Sequence, residues 1–352
     1  MCRFMIYKGR EPMVLSDLLT KPAHSIINQS FDSRLRLDMR NPINGDGFGV
    51  GYYSTDEPCI FKAITPAWNN VNLNNLSMCT KSRLVFGHVR ASTQGVLSET
   101  NCHPFAYGKL MFMHNGGISL FEKLKRKLVD HLDDEYFLYI QGATDSECCF
   151  ALYLNTLHQM GYNPGDKNEK FTHNILRQAL VTTTELIKNW QVAITDEPSL
   201  LNFAVTDGES IVVSRYITSK TDEAASLHFS TGSRFFEYEP GLFKMERLNR
   251  SQDVIFVASE PLTFERGDWI CVPTNTMLTI TNNNTVLMHP IEDEFYDRGV
   301  SERSSGLAMS KGLMGGVPTK NGTGSASVGS TLAELPPLSR EGRKPSTEYA
   351  VF

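Results

Sequence analysis

Strand-like stretches come first in this chain, helical stretches second, and strand-like stretches again towards the end. That order limits the fold more than any other feature. "CRFMIYKG" at residues 2–9 is short, β-prone and followed by turn residues, so a strand is expected to start at Cys2. "GDGFGVGYY" (Gly45–Tyr53) is a glycine-rich turn running into a strand, and "RLVFGHVR" (Arg83–Arg90) and "LMFMHNGGI" (Leu110–Ile118) are apolar runs that end in polar residues. A basic amphipathic helix is expected from Ser119 to about His131, another behind the cap signal of "TDSECCFALYLNTLHQM", and a third over roughly Asn174–Trp190. "HSIINQSF" reads as helix or loop. Strand patterns then return in "LNFAVTDGESIVVSRY", whose Asp-Gly marks a hairpin, in "ASLHFSTG" and "DVIFVASEPL", and in a terminal hairpin within "GDWICVPTNTMLTITNNNTVLMHPI". Strands, helices, then strands predict an α+β fold with helices packed on largely antiparallel sheets.

After about Gly299 the composition turns to Ser, Gly, Thr and Pro, which cannot bury enough apolar surface to offset the entropy of ordering. A domain over 2–290 followed by a disordered tail over 300–352 is expected. With a net charge of −5 the chain carries no polybasic footprint, so neither nucleic acid nor an anionic membrane is expected as a partner. No apolar run reaches the length of a membrane span, and the N-terminal residues lack the pattern of a secretory signal. The seven cysteines are odd in number and irregularly spaced, with no CxxC pair, which argues against a disulfide framework or a cysteine-based metal site. A reducing cytoplasm fits this usage.

Several polar clusters at the ends of the strand-like runs have chemical meaning. With Met1 removed, Cys2 would present a thiol and a free α-amine on one residue, with pKa values near ~8.5 and ~8, a nucleophile carrying its own base. Arg90 in "HVRAST" offers a planar, permanently charged fork for a carboxylate, or simply pairs with a surface carboxylate. "HNGG" is an ordinary turn sequence, but the Asn115 amide and the Gly116 backbone N–H could also converge on an oxyanion. Asp145 in "TDSE" either caps a helix or holds a ligand ammonium. Taken together these groups suit one ligand class, an α-amino acid whose side-chain amide is attacked, such as glutamine or a γ-glutamyl peptide.

On these residues the chain resembles the class II glutamine amidotransferases of the N-terminal nucleophile hydrolase type. There a leading Cys, an "HxRxxT"-like segment, an "HNG" segment and a "DSE" segment recur in this order. The resemblance implies a four-layer αββα sandwich, with Cys2 as nucleophile and its α-amine as base. It implies that Asn115 and Gly116 form the oxyanion hole, that Arg90 with Thr93 holds the substrate α-carboxylate, and that Asp145 holds the α-ammonium. Neither cofactor nor metal is implied. "AHSIINQSFDSRLRL", "GDGFGVGYY", "FKAITPAWNN", "GVLSETNCHPF" and "FMHNGGIS" carry a closer resemblance, to amidotransferase-like subunits of fungal glutathione-degrading complexes. It implies hydrolysis of the γ-glutamyl bond of glutathione beside a metallopeptidase-like partner with WD repeats. The "HRG" segment of biosynthetic amidotransferases is replaced here by "NQSFDSRLRL" and "NGDGFGV", so a glutamine-only specificity is not expected. Only a low-complexity tail is expected after about residue 290, so a second domain to accept ammonia is not expected within this sequence. A glutaminase subunit feeding ammonia to a partner, and a non-catalytic γ-glutamyl-binding scaffold, stand as the alternatives. Cys102 and His103 in "TNCHPF" form a second, weaker candidate pair. His88 and His114 are expected to be structural, Cys148 and Cys149 to be core thiols, and "EKLKRKL" to be a solvated helix face or a docking surface.

Overall fold

The computed structural model describes residues 2–35, 37, 43–91, 97–248, 252–265, 267–297 and 302–316. The strands are β1 (Arg3–Val14), β2 (Phe48–Tyr53), β3 (Pro58–Ala63), β4 (Lys81–Val89), β5 (Phe105–Tyr107), β6 (Leu110–Gly117), β7 (Leu200–Thr206), β8 (Ile211–Arg215), β9 (His228–Gly232), β10 (Arg234–Glu239), β11 (Leu242–Glu246), β12 (Val254–Ala258), β13 (Ile270–Cys271), β14 (Thr276–Ile280) and β15 (Val286–Pro290). The helices are α1 (Leu15–Leu19), α2 (Ile26–Gln29), α3 (Val71–Cys79), α4 (Phe121–Val129), α5 (Asp134–Tyr139), α6 (Asp145–Gln159), α7 (His173–Val192) and α8 (Gly306–Ser310).

One sheet has seven strands in the order β13-β9-β12-β1-β4-β2-β3, and a second has six in the order β15-β14-β8-β7-β6-β5. Every pairing within them is antiparallel. The alternation of side chains along a strand explains the layering. Phe4 and Ile6 of β1, Phe86 of β4, and Met111 and Met113 of β6 meet between the two sheets. Their alternates Met5 and Tyr7 face outward against α1, α2, α3 and the β10–β11 hairpin. Phe112 of β6, with Phe203 and Val205 of β7, packs against α4, α6 and α7 on the far side. This is the four-layer αββα arrangement. Because both faces of the central strands are buried, "RLVFGHVR" and "LMFMHNGG" read as nearly continuous apolar runs.

α6 begins where its sequence cap predicts: the Thr144 side chain accepts the Glu147 backbone N–H at 3.3 Å. The first strand begins at Arg3, one residue later than expected. A larger departure lies at the C-terminal side. Residues 302–316 belong to the same unit as the sandwich, whereas the sequence composition put the start of a tail near residue 300. Arg303 Nη1 donates to the carbonyls of Ser219 (2.6 Å) and Asp222 (3.0 Å), and Nη2 donates to that of Phe295 (2.7 Å). Ala308, Leu313 and Met314 fill a small core with Leu200, Ile217, Ala224 and Ala225. A segment poor in large apolar side chains is held here by its main chain and the Arg303 guanidinium. The remainder of the expected tail, from 317, lies outside the described residues.

Candidate active site

Cys2, Arg90, Asn115, Gly116 and Asp145 stand at or just beyond the ends of β1, β4 and β6 and at the start of α6. Arg3 pairs with Val89, which brings Cys2 to the end of β4 where Arg90 stands. Cys2 is half-buried, and its Sγ lies 3.8 Å from the Ala91 carbonyl. Arg90 is buried and tied to the Gly45–Gly47 turn. Its N–H donates to Gly47 O (2.8 Å), its carbonyl accepts from Asp46 N–H (3.1 Å), and its Nη1 reaches Asp46 O (3.4 Å).

Asn115 comes from the neighbouring sheet, buried at the end of β6 beside Asn202 of β7. Its Nδ2 lies 3.0 Å from Ser259 Oγ, and the same Oγ accepts the Phe4 N–H at 3.1 Å. Ser259 therefore stitches the strand that carries Cys2 to the strand that carries Asn115. The bond to Ser259 determines how the amide sits. Nδ2 donates one of its two hydrogens to Ser259 Oγ, which leaves the second N–H for the site.

Gly116 cannot be replaced without displacing the main chain, because a Cβ there would lie 1.8 Å from Leu200 O. Asp145 opens α6, with Oδ2 accepting Ile118 N–H (2.9 Å) and Oδ1 lying 3.1 Å from Ser146 Oγ. A carboxylate at a helix N-terminus is stabilised by the helix dipole, so it stays available to a cation. Thr93 lies outside the described residues. Among the described residues no group of three or more His, Cys, Asp or Glu side chains could hold a metal ion.

The histidines beside this site are buried and neutral. Burial drives His88 down to about 3, against a minor upward contribution from a backbone hydrogen bond. It drives His103 well below its usual range, helped by the neighbouring imidazoles. It also lowers His114, against the pull of Asp145. His103 packs between His88 (4.1 Å between ring centroids) and Phe105 (4.7 Å), tilted against both. His114 Nε2 donates to Leu200 O at 3.0 Å, which leaves Nδ1 facing Ser146 Oγ at 3.0 Å. None of these rings is placed to take a proton at neutral pH.

Cys102 is fully buried with weak contacts to Ser98 O (3.6 Å) and Ala63 O (3.8 Å). Burial raises its thiol pKa, against the pull of Arg90 and Lys62. A buried protonated thiol next to a neutral, closely packed imidazole is not an activated pair. Burial likewise raises Cys148 to about 12 and Cys149 well above its usual value, as expected for core thiols.

The model of class-II glutamine amidotransferases matches residues 15–298. The chain is also 61% identical, over 99% of its own length and 99% of the relative's, to the Saccharomyces cerevisiae protein described as "Probable glutamine amidotransferase DUG3". The chain belongs to the class-II glutamine amidotransferases. A more distant relative, the γ-glutamyl-hercynylcysteine sulfoxide hydrolase of Mycolicibacterium smegmatis, is 28% identical over 33% of this chain and 51% of its own. Among solved structures, a glutamine aminotransferase class-II domain protein from Silicibacter pomeroyi shares the fold at a TM-score of 0.53 and 22% identity, covering 82% of this chain and 99% of that one. Glutamine phosphoribosylpyrophosphate amidotransferase from B. subtilis does so at 0.50 and 16%, covering 83% and 49%.

Arg3, Ser259 and Glu260, which the motifs do not single out, lie beside Cys2 and Asn115 of this class-II amidotransferase.

The buried histidines have a consequence for acid stability. His24, His88, His103, His114 and His228 are all lowered mainly by burial. In the unfolded chain they take up protons as pH falls through about 6.5, while the folded state does not. The unfolded state then binds more protons, so stability is full above that pH and is lost as pH falls towards the folded values. For His88 and His228, both held near 3, this costs about 1.4 kcal/mol each by about pH 5.5. Thermal melts should show a steep fall between neutral pH and about 5.5. A flat profile would mean that these imidazoles are not held neutral.

Proposed function

We propose that the chain is the catalytic subunit of a γ-glutamyl hydrolase, cleaving the γ-glutamyl bond of glutathione and related peptides through a thioester on Cys2. What supports this reading is that Cys2 stands beside the end of β4 that leads to Arg90, that Ser259 ties β1 to Asn115, that Asp145 binds the chain just after Gly116–Gly117, and that the nearby histidines are neutral. With no imidazole able to serve, the base falls to the α-amine of Cys2 once Met1 is removed.

The chemistry then follows. The amine takes the Cys2 thiol proton, and the thiolate attacks the γ-amide carbon. Asn115 Nδ2 and the Gly116 N–H hold the oxyanion, each donor contributing about 3 kcal/mol of transition-state stabilisation. The α-ammonium returns the proton to the leaving amine as the C–N bond breaks. Water, deprotonated by the same amine, opens the thioester, releases glutamate and regenerates the thiol. Arg90, assisted by Thr93, holds the substrate α-carboxylate, and Asp145 holds the α-ammonium.

The name of the mycobacterial relative, a hydrolase of a γ-glutamyl compound, supports hydrolysis over ammonia transfer. No helix among the described residues is long and apolar enough to cross a membrane. Cys59, Cys79 and Cys271 are exposed free thiols, which suits the reducing cytoplasm. The partner in this reading is a metallopeptidase-like WD-repeat subunit. The 317–352 segment is read as a tail without catalytic groups.

Glutamate release from glutathione and from glutamine, with and without that partner, tests the reading. Release from glutathione supports it, and release from glutamine alone would make the chain a glutaminase. Arg90→Lys adds a second check. Lysine keeps the charge but loses the fork that matches a carboxylate. KM for the γ-glutamyl substrate should rise on the order of tenfold or more, the loss of one charge-assisted hydrogen bond. Unchanged kinetics would leave Arg90 a structural tie to the Gly45–Gly47 turn.

A further inference from the structure

Ser259 and Glu260, directly after β12, do no chemistry in the proposed mechanism, yet each reaches one half of the site. Ser259 Oγ joins the Phe4 N–H to the Asn115 amide. Glu260 is 1% exposed, and its carboxylate meets the Arg3 guanidinium and accepts the Ser33 hydroxyl. Arg3, next to the nucleophile, is 2% exposed and also donates to Gly312 O at 3.4 Å. His24 Nε2 lies 3.8 Å from Glu260, but the ring is neutral. Its Nδ1 donates to Pro261 O (2.6 Å), Nε2 accepts the Arg34 N–H (3.3 Å), and burial lowers its pKa. Arg3 is therefore the cation that balances Glu260.

Burying an ion pair in this way is costly, and apolar side chains could hold a strand end at no such cost. What the pair adds is a fixed direction for the residue that follows Cys2. The C-terminal segment seals it. A Cβ at Gly315 would stand 2.3 Å from Glu260 Cγ, so only glycine lets the main chain lie on that side chain. Gly315 N–H donates to Ser226 Oγ (2.9 Å), whose own hydroxyl reaches Ser259 O (2.7 Å), and Gly316 N–H donates to Leu35 O (2.6 Å). This strap lies beyond residue 298, where the match to the family model ends.

We propose that Ser259 and Glu260 are positioning residues for the reaction. Ser259 turns the Asn115 amide towards the oxyanion, Glu260 fixes the Cys2 end of β1 through Arg3, and the 302–316 strap shields both from water. This inference rests on Cys2 being the nucleophile. In that reading Arg90 and Asp145 hold the glutamyl group, so the effects of Ser259 and Glu260 belong in kcat rather than KM.

The test is a double-mutant cycle on the full chain, with glutamate release and iodoacetamide labelling of Cys2, read by peptide mass, as separate readouts. Ser259→Ala should lower kcat on the order of 10- to 100-fold at unchanged KM. In an Asn115→Ala background it should lower kcat no further, because Ser259 acts through that amide. Additive losses would overturn the role of Ser259. Glu260→Gln should lower both kcat and the rate of Cys2 labelling. Should that variant fail to fold, Arg3→Met with Glu260→Met removes both buried charges together; it should recover the melting temperature but not kcat. Recovery of both would make the pair purely structural and overturn its positioning role. If Cys2 is not labelled in the parent and Cys2→Ala still turns over, the nucleophile assignment fails instead, whichever way the cycle falls.

Discussion

Cys2→Ala is expected to abolish glutamate release, by on the order of 10⁴-fold or more, while leaving the melting temperature close to that of the parent. The thiol is half-buried, and its one described hydrogen-bonding contact is a weak one of 3.8 Å to Ala91 O, so its removal costs little packing. No other sulfur can replace it. Cys102 is the nearest alternative by position, but burial holds it as the thiol, and its neighbour His103 is neutral and packed between His88 and Phe105. Turnover by the purified variant on a γ-glutamyl donor, beside a thermal melt, is the measurement. Activity near that of the parent would move the chemistry away from the N-terminus.

The second large effect belongs to Asn115→Ala. It removes a side-chain donor to the oxyanion, and kcat should fall on the order of 10²- to 10³-fold with little change in KM, since the substrate α-groups are held elsewhere. Stability should also drop, by about 1–3 kcal/mol, because the buried amide is lost from the bridge to Ser259. The two readouts separate chemistry from folding. A loss in kcat matched by a rise in KM, with no change in melting temperature, would place Asn115 in substrate binding rather than in the oxyanion hole.

Much of the frame was legible because its central strands are buried on both faces. Runs such as Arg83–Arg90 and Leu110–Ile118 are apolar nearly throughout and stop at polar residues, and those stops are where Arg90 and Asn115 stand. The capping Thr144 likewise placed Asp145 at a helix start. The helix α3 was not legible. Asn72, Asn74 and Asn75 disfavour a helix interior, only Leu73 and Ser77 are buried, and the helix is held by the Asn70 side chain accepting the Leu73 N–H at 2.8 Å. The β10–β11 hairpin went unread although Phe235, Phe243 and Met245 pack into the core.

The strap over 302–316 shows a different limit. Composition weighs apolar side chains, but this segment is anchored by carbonyls, an arginine fork and glycines that permit close approach, as at Gly315 on Glu260. The partnership of Arg3 with Glu260 joins positions far apart in the chain and depends on the pairing of β1 with β12. No local pattern announces such a pair. Ser259 is legible only once that same register has set it opposite Phe4 and beneath Asn115.

The central claim is that Cys2 carries the γ-glutamyl group during turnover. The direct measurement is acid quenching of the full chain mixed with glutathione, together with its partner subunit where turnover requires it, followed by intact mass and peptide mapping. The account predicts a γ-glutamyl thioester on the peptide that begins with Cys2, with Met1 absent, and no adduct in Cys2→Ala. An adduct on any other residue, or full activity in chains that retain Met1, would contradict it.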